Sequence, residues 1–504
     1  MTRTAASTQD EARYARPRPE PDALLRIGGA AVAAAAGERF LTRDPSTGEG
    51  IAEVARAGVA DVETAVAAAR RAQPEWAARD AEERVAVLVE AGRLLRERSV
   101  ALGRLEALDA GKPVDQAIEQ VELTAGAFEY WARTSQEIRE LVMPTGPRAL
   151  NYTLREPLGV IGVITPWNYP MLEYAESLPG ALVLGNAVVL KPAELTPLTA
   201  LALADVLAEA GLPDGVLNVI PGSGSVVGQA LVEHADVEMA VFTGSTSVGR
   251  RVAAAAGEGL KRTWLELGGK SPNVVFADAD LGQVVGASLF SFTVNQGQLC
   301  TAGTRLFAAR EVHDELVERL RAAAAELTVG DPFEPGTKLG ALISPAQVAT
   351  VEGYVERGRE EGARLESGGR RPELDGPCAG GSFYTPTIFT GVRNEMTIAR
   401  EEIFGPVLSV IGFEAEEEAV AMANDSSYGL NAALWTNDLT RAHRVARALQ
   451  AGTVYVNTIN GGASAPHDRY KGSGLGIAGS REQLEAMTRV KSVFVNLGGG
   501  TPSL

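Results

Sequence analysis

The chain has 504 residues, 45% hydrophobic and 22% charged, which suits a globular protein of two or three domains with a large core. A net charge of −17 argues against nucleic acid and anionic membrane as partners, and no apolar run is long enough to span a bilayer. Two cysteines argue against a disulfide-stapled fold and for a reducing cytoplasm; four histidines, with no Cys/His cluster at zinc spacing, give no reason to expect a metal.

Residues 1–22 lack the apolar core of a signal peptide and read as a loose extension. Amphipathic helices are expected at 61–73 and 81–98, the second with Val85, Leu88, Val89 and Leu95 on one face. Asp109-Ala-Gly-Lys-Pro113 breaks the pattern, and a helix over about 115–139 carries Leu123, Phe128, Tyr130 and Trp131. From residue 160, near-continuous apolar strands (160–164, 187–190, 216–220, 239–242, 263–267) alternate with helices starting near 170, 197, 225 and 247. That alternation predicts a parallel sheet covered on both faces, which binds ligands beyond the carboxyl ends of its strands. A second α/β unit follows Gly268-Gly-Lys-Ser-Pro272, with strands at 304–309, 406–413, 431–436 and 452–457 and helices at 312–327, 344–362, 414–424 and 438–450. Two lone strands, 151–155 and 489–497, are expected to pair as a flap outside both units, with an edge open to a second chain.

Cys300 lies on a Gly-flanked turn between a helical segment (281–294) and the strand 304–309. A lone cysteine is most often a buried small hydrophobe. The neighbouring Asn295-Gln-Gly-Gln298 and Ala302-Gly303 favour the other reading, a thiolate nucleophile that a carbonyl can approach. Strand ends carry further candidates. Phe242-Thr-Gly-Ser-Thr-Ser-Val-Gly249 is either a plain strand–turn–helix link or a pyrophosphate cradle, and it lacks the P-loop ending that ATP needs. Glu194, in Lys191-Pro-Ala-Glu194, is either a capping residue or a grip on ribose hydroxyls. Thr165-Pro-Trp-Asn-Tyr-Pro170 is a rigid turn that presents the Asn168 amide. Glu266, in an otherwise apolar strand, is either a paired structural charge or a base; Glu401-Glu-Ile-Phe-Gly-Pro406 sets a carboxylate and an aromatic on one turn.

In this order, Pro166-Trp-Asn, Lys191-Pro-Ala-Glu194, Phe242-Thr-Gly-Ser245, Leu265-Glu-Leu-Gly-Gly-Lys270, Gln296-Gly-Gln-x-Cys300 and Glu402-Ile-Phe-Gly-Pro406 closely resemble the aldehyde dehydrogenase superfamily, from about residue 40 to the C-terminus. The resemblance implies an α/β fold: a Rossmann-like dinucleotide domain (23–140 and 159–268), a catalytic domain (269–465) and a bridging pair of oligomerisation strands (141–158 and 486–504) that builds a homodimer or homotetramer. It implies a hydrolytic, NAD(P)-dependent oxidation of a small aldehyde. Cys300 is expected to form a thiohemiacetal and then a thioester, Asn168 to hold the oxyanion, and Glu266 to activate the hydrolytic water. NAD, preferred over NADP because of Glu194, is expected at Thr165, Pro166, Trp167, Lys191, Glu194, Gly224, Thr243, Gly244, Ser245, Leu267, Glu402 and Phe404. Substrate is expected at Tyr169, Glu173, Glu176, Leu123, Leu299, Thr301 and His467. A CoA-acylating member is the nearest alternative, against which Glu266 argues. A cofactor-free cysteine hydrolase and a non-catalytic relative are the others.

The chain departs from the family pattern at three places. Glu176-Ser177 stands where the family usually has Trp-Lys, Ala478 where it has Glu, and Pro466-His-Asp-Arg-Tyr470 where it has Pro-Phe-Gly-Gly-Tyr, with the preceding loop one residue short. The Lys and Glu that pair in many members are both missing, which strands no buried charge and implies a proton exit through water. Glu173 and Glu176, three apart on one helix face, with Glu119 and Glu122 nearby, suggest an acidic mouth for a cationic amino-aldehyde, with Tyr169 and Trp167 as a cation–π face. A pairing of Glu173 or Glu176 with Arg469 would neutralise that mouth and leave a small neutral aliphatic or aromatic aldehyde as the alternative substrate.

Overall fold

The computed structural model describes residues 12–461 and 465–498. Its largest sheet, among the described residues, has the order 474–475, 262–266, 237–243, 160–164, 187–191, 217–219, 25–27, 30–32. The five central strands run parallel, and 160–164 and 187–191 are buried at every position. That burial on both faces is why these strands read as unbroken apolar runs. A second, seven-stranded sheet has the order 364–367, 387–390, 407–413, 305–309, 272–275, 431–435, 453–456, and is parallel except for its first strand. Its strands 272–275, 364–367 and 387–390 are additional to those expected from sequence.

The lone strands do pair. Residues 149–157 and 488–496 run antiparallel over nine paired positions, with 142–143 on the outer side. The flap keeps apolar side chains in solvent: Val142 is 71% exposed and Phe494 65%.

Several expectations shift. Of the extension at 1–22, residues 1–11 lie outside the described residues, and the rest is tied down. Arg13 and Tyr14 reach Asp115 at 2.7 and 2.9 Å, and Arg16 pairs with Asp44 and Asp331. These partners lie about 30 to 315 positions away along the chain, where no local pattern shows them. The helix Ala81–Glu97 buries Val87, Leu88, Ala91, Leu94 and Leu95, whereas Val89 is 45% exposed. Of the face expected, Leu88 and Leu95 are buried and Val85 packs against the core, and only Val89 turns to solvent. A further helix, Ser99–Ala110, ends on left-handed Gly111 (φ 75°), and Pro113 caps the next, Val114–Thr134, which ends five positions earlier than expected.

Candidate active site

Cys300 follows a backbone that few sequences tolerate. The helix Leu281–Thr293 passes into a short turn, Val294–Gly297, where Asn295, Gln296 and Gly297 all have positive φ (49°, 58° and 72°). Such conformations persist only where the surroundings over-determine them. Here the side chains do so. Asn295 Nδ2 donates to the carbonyls of Asn168 (2.8 Å) and Gln298 (3.2 Å). Gln296 bonds Ala341 and Gly340, and Gln298 Oε1 accepts from the Ile343 amide at 2.9 Å. The polar run beside Cys300 is thus the brace of the loop. The glycines serve backbone contact rather than access to sulfur. A Cβ on Gly269 would lie 2.2 Å from the Cys300 carbonyl oxygen, and one on Gly297 would lie 2.3 Å from that of Gly405.

Asn168 is 4% exposed, and its Nδ2 donates to the Gln298 carbonyl at 2.9 Å, which fixes the amide against the Cys300 loop. One donor of its NH₂ remains for another acceptor. Its own carbonyl is held by Asn295 and by Lys112 Nζ at 2.9 Å. Lys112 was not singled out from sequence. It is fully buried, and also donates to Glu106 (2.8 Å) and Gln120 (2.5 Å), 4.6 Å from the Tyr169 ring centroid. A lysine in a Gly-Lys-Pro loop reads as solvated; only the threefold acceptor cage, drawn from three separate segments, shows otherwise.

A cavity of about 220 Å³ brings together Cys300, Asn168, Glu266 and Glu173 with Pro166, Trp167, Thr243, Gly244, Ser245, Leu267, Gly268, Glu402 and Phe404. Phe404, at φ 56°, is held through its carbonyl by Gln347 Nε2 (2.8 Å), and its ring stands edge-on to Trp167 at 5.3 Å. Glu402 accepts from the Gly269 amide at 3.0 Å, and burial pushes its carboxyl up to about 7. Two Ser-capped helical starts follow strands of the same sheet, 237–243 and 217–219, with two strands between them: Ser245 accepts from the Val248 amide, and Ser223 from the Val226 amide before the turn Gly224–Gly228. Their free N–H groups suit a diphosphate. Thr165, Lys191, Glu194 and Gly224 do not line this cavity. Lys191 Nζ donates to the Gly222 carbonyl (3.1 Å), and burial pushes its ammonium down to about 8. Glu194 pairs with Arg56 at 2.8 Å.

Glu266, the last residue of the strand Arg262–Glu266, is 8% exposed and bound by both arms of the Arg469 guanidinium, with Nε to Oε2 at 2.7 Å. The pairing that sequence anticipated for Arg469 thus goes to Glu266, 203 positions away, rather than by hydrogen bond to Glu173 or Glu176. Ser177 is 3% and Ala478 6% exposed, so the positions of the missing Lys and Glu are packed and neutral.

A second cavity, of about 490 Å³, adjoins through Glu176 and Arg469 and is lined by Glu122, Leu123, Tyr130, Trp131, Leu172, Ala175 and His467. Of the substrate residues expected, it holds Leu123, Glu176 and His467. Glu173 lines the inner cavity, and Leu299 and Thr301 line neither. Tyr169 is 8% exposed with Lys112 over its ring, and Trp167 abuts Phe404, so neither offers a cation–π face in the outer chamber. Tyr130 and Trp131, 5.1 Å apart, lie there instead. Residues 462–464, in the loop read as one residue short, lie outside the described residues.

The model of the aldehyde dehydrogenase family matches residues 32–493. Solved structures agree along nearly the whole chain. The aldehyde dehydrogenase KauB from Pseudomonas aeruginosa is 42% identical, covering 97% of this chain and 99% of its own, with a TM-score of 0.93. The indole-3-acetaldehyde dehydrogenase AldA of P. syringae, in complex with NAD⁺ and IAA, is 41% identical with the same coverage and TM-score. An aldehyde dehydrogenase from Bacillus cereus, as an NAD⁺ complex, is 40% identical, covering 95% and 97%, at 0.92.

Proposed function

The chain belongs to the aldehyde dehydrogenase family, and from that premise we propose that it oxidises an aldehyde to the carboxylic acid at Cys300, with NAD⁺ as the acceptor. The observation that carries this reading is the single cavity in which Cys300, Asn168 and Glu266 meet Trp167, Gly244, Ser245 and Phe404. Cys300, once its thiol has lost its proton, adds its sulfur to the aldehyde carbon, and the Asn168 amide with the Cys300 backbone N–H stabilises the oxyanion. NAD⁺ supplies a two-electron acceptor for the hydride, which leaves a thioester on Cys300. Glu266 takes a proton from water, which hydrolyses that thioester. Two-step hydrolysis through Glu266 is favoured over transfer to CoA, which needs no such base.

The two Ser-capped helical starts suit the diphosphate, the slot between Trp167, Leu267 and Phe404 the nicotinamide, and Glu194 the adenosine ribose. In domain terms, 23–140 with 159–268 is the NAD-binding part, 269–465 the catalytic part, and 141–158 with 486–504 the oligomerisation strands. Their exposed apolar row supports a homodimer or homotetramer. Both cysteines are free, in keeping with a cytoplasmic enzyme, and among the described residues no helix is long and apolar enough to cross a membrane.

NAD⁺ is the preferred cofactor. The Glu194 carboxylate repels a 2′-phosphate, and Arg56 offsets part of that repulsion. The expected kcat/KM ratio favours NAD⁺ by about tenfold, the factor that ~1.4 kcal/mol gives, and Arg56→Ala widens it. A ratio favouring NADP⁺ refutes the assignment.

The substrate is a cationic amino-aldehyde. Glu122 and Glu176 face the outer chamber, and Tyr130 and Trp131 supply the aromatic face. A neutral aromatic aldehyde is the second reading, favoured by the apolar share of the same lining, Leu123, Leu172 and Ala175, and by the activity named for the P. syringae relative. The test measures NADH formation with an ω-amino-aldehyde and a neutral aldehyde of equal length. The cationic reading requires higher kcat/KM for the amine in wild type and loss of that preference in Glu176→Gln. Equal efficiencies in wild type remove it.

A further inference from the structure

One guanidinium, Arg469, bonds Glu266 and feels the charges of Glu176 and Glu173. Glu266 and Glu173 line the inner cavity with Cys300, while Glu176 and Arg469 line the outer one. The Arg469 side chain is 4% exposed. Nε and Nη2 take the two oxygens of Glu266, and Nη1 donates to the His467 carbonyl at 3.0 Å. Gly474 pairs directly with Glu266 across the sheet edge; a Cβ there would lie 2.0 Å from the Leu265 carbonyl oxygen and 3.1 Å from Arg469 Cγ, so the backbone contact requires the glycine and the arginine stem packs beside it. Burial pushes the guanidinium down to about 10, against the charges of Glu176 and Glu173, which push it up.

We propose that Arg469 is the positioning residue of the water-activating base: its fork fixes Glu266, as carboxylate, in the wall of the catalytic cavity, ready to serve the thioester on Cys300. The proposal rests on the reading of Cys300 and Glu266 given above. In the step it serves, a water O–H bond breaks and its proton passes to Glu266. The water oxygen bonds the thioester carbon, the C–S electron pair returns to Cys300 sulfur, and the acid leaves.

Each carboxylate oxygen has two lone-pair directions, so a bidentate arginine leaves room for a water on the far side. The charge environment makes the arginine necessary. Glu266 bonds Arg469 of the segment 465–471 and shares its cavity lining with Glu173 of the helix Pro170–Val183, Cys300, and Glu402 of the turn 401–406; Glu176 and His467 line the outer cavity with Arg469. Among the described residues in these two linings, Arg469 is the permanent cation; Lys112 lies behind Tyr169. Burial, and for Glu173 also the charge of Glu176, pushes the Glu173 and Glu176 carboxyls up even with Arg469 in place, so the cluster readily takes up a proton; without Arg469 no cation in these linings keeps that proton off Glu266. A protonated Glu266 activates no water.

The test separates hydride transfer from hydrolysis. Enzyme with bound NAD⁺ is mixed rapidly with aldehyde, and the NADH burst and the later formation of acid are followed from pH about 5 to 9, in wild type, Arg469→Leu and Arg469→Lys. The Leu variant is expected to keep an NADH burst but to form acid about tenfold more slowly at neutral pH. The acid limb of hydrolysis is expected to move up by about 1–3 pH units, the range over which a neighbouring opposite charge acts on a carboxylate. The Lys variant keeps the charge without the fork, so its limb stays near that of wild type at a reduced rate; it also carries the test if the Leu variant does not fold. A limb that stays put in a folded Leu variant, or in the absence of that variant a Lys limb displaced as far as 1–3 pH units, overturns the proposal. Wild-type enzyme that forms acid with no NADH at any time, or Cys300→Ala that forms NADH at the wild-type rate, instead overturns the underlying reading of Cys300.

Discussion

Replacing Cys300 with alanine is expected to lower kcat for aldehyde oxidation by about 10⁴-fold or more, while NAD⁺ binding changes by no more than about twofold. The asymmetry follows from the site. On the proposed reading the sulfur forms the bond to substrate, whereas the proposed cofactor contacts are other residues of the same cavity, Trp167, Ser245, Glu402 and Phe404. The thiol is not activated at rest. Burial, then the charges of Glu173, Glu402 and Glu176, hold its pKa well above the ordinary cysteine value. At neutral pH the group therefore keeps its proton, and thiolate grows in as pH rises. Alkylation of the cofactor-free enzyme by iodoacetamide should be slow at neutral pH and accelerate on the alkaline side. Glu173→Gln removes one of the opposing negative charges and should bring that acceleration to lower pH. Wild-type turnover by the alanine variant would falsify the nucleophile assignment. Turnover that requires added CoA would favour the acylating alternative, and turnover without NADH absorbance a cofactor-free hydrolase.

What could be read in the sequence and what could not divide along the range of the interactions. The strands 160–164, 187–191, 237–243 and 262–266 are legible because burial on both faces writes itself into consecutive residues. Cys300, Asn168 and Glu266 are legible because each sits in a short run whose order matches a family, and the fold brings all three to one cavity. The Glu266–Arg469 pair spans 203 positions, and Arg469 stands in a stretch where the family pattern fails. No periodicity or motif could couple the two, and the sequence offered Arg469 to Glu173 or Glu176 instead. The same blindness misassigned the aromatics. Trp167 and Tyr169 are close in sequence to the acidic helix, yet the rigid turn sends one to Phe404 and the other to Lys112. Tyr130 and Trp131, some 40 positions earlier, reach the chamber because the helix Val114–Thr134 packs against Pro170–Val183.

Lys112→Met is expected to be among the most damaging substitutions outside the reacting atoms. Lys112 and Glu106 are both 0% exposed, and Nζ satisfies Glu106, Gln120 and the Asn168 carbonyl together. Methionine fills most of the stem's volume but leaves the Glu106 carboxylate buried without its cation. Breaking one half of a buried pair in this way costs about 3–5 kcal/mol, more than the net value of the pair itself. Thermal unfolding should fall on the order of 5–10 °C. Activity should fall further than stability alone requires, for two reasons. The Asn168 carbonyl loses one of its two anchors, so the amide that faces the Cys300 loop loosens. Glu106 Oε2 also accepts from the Met171 amide at 3.1 Å, at the start of the helix that carries Glu173 and Glu176. The double variant Lys112→Met/Glu106→Gln isolates the cause. It removes the stranded charge, and the glutamine carbonyl can still accept from Met171, so most of the lost unfolding temperature should return. Turnover should stay low in the double variant, because the bond to Asn168 is still missing. Recovery of both stability and kcat would show that Lys112 acts only as a counter-ion. Recovery of neither would mean that the cage depends on the bonds from Nζ to Gln120 and the Asn168 carbonyl, which both variants lack.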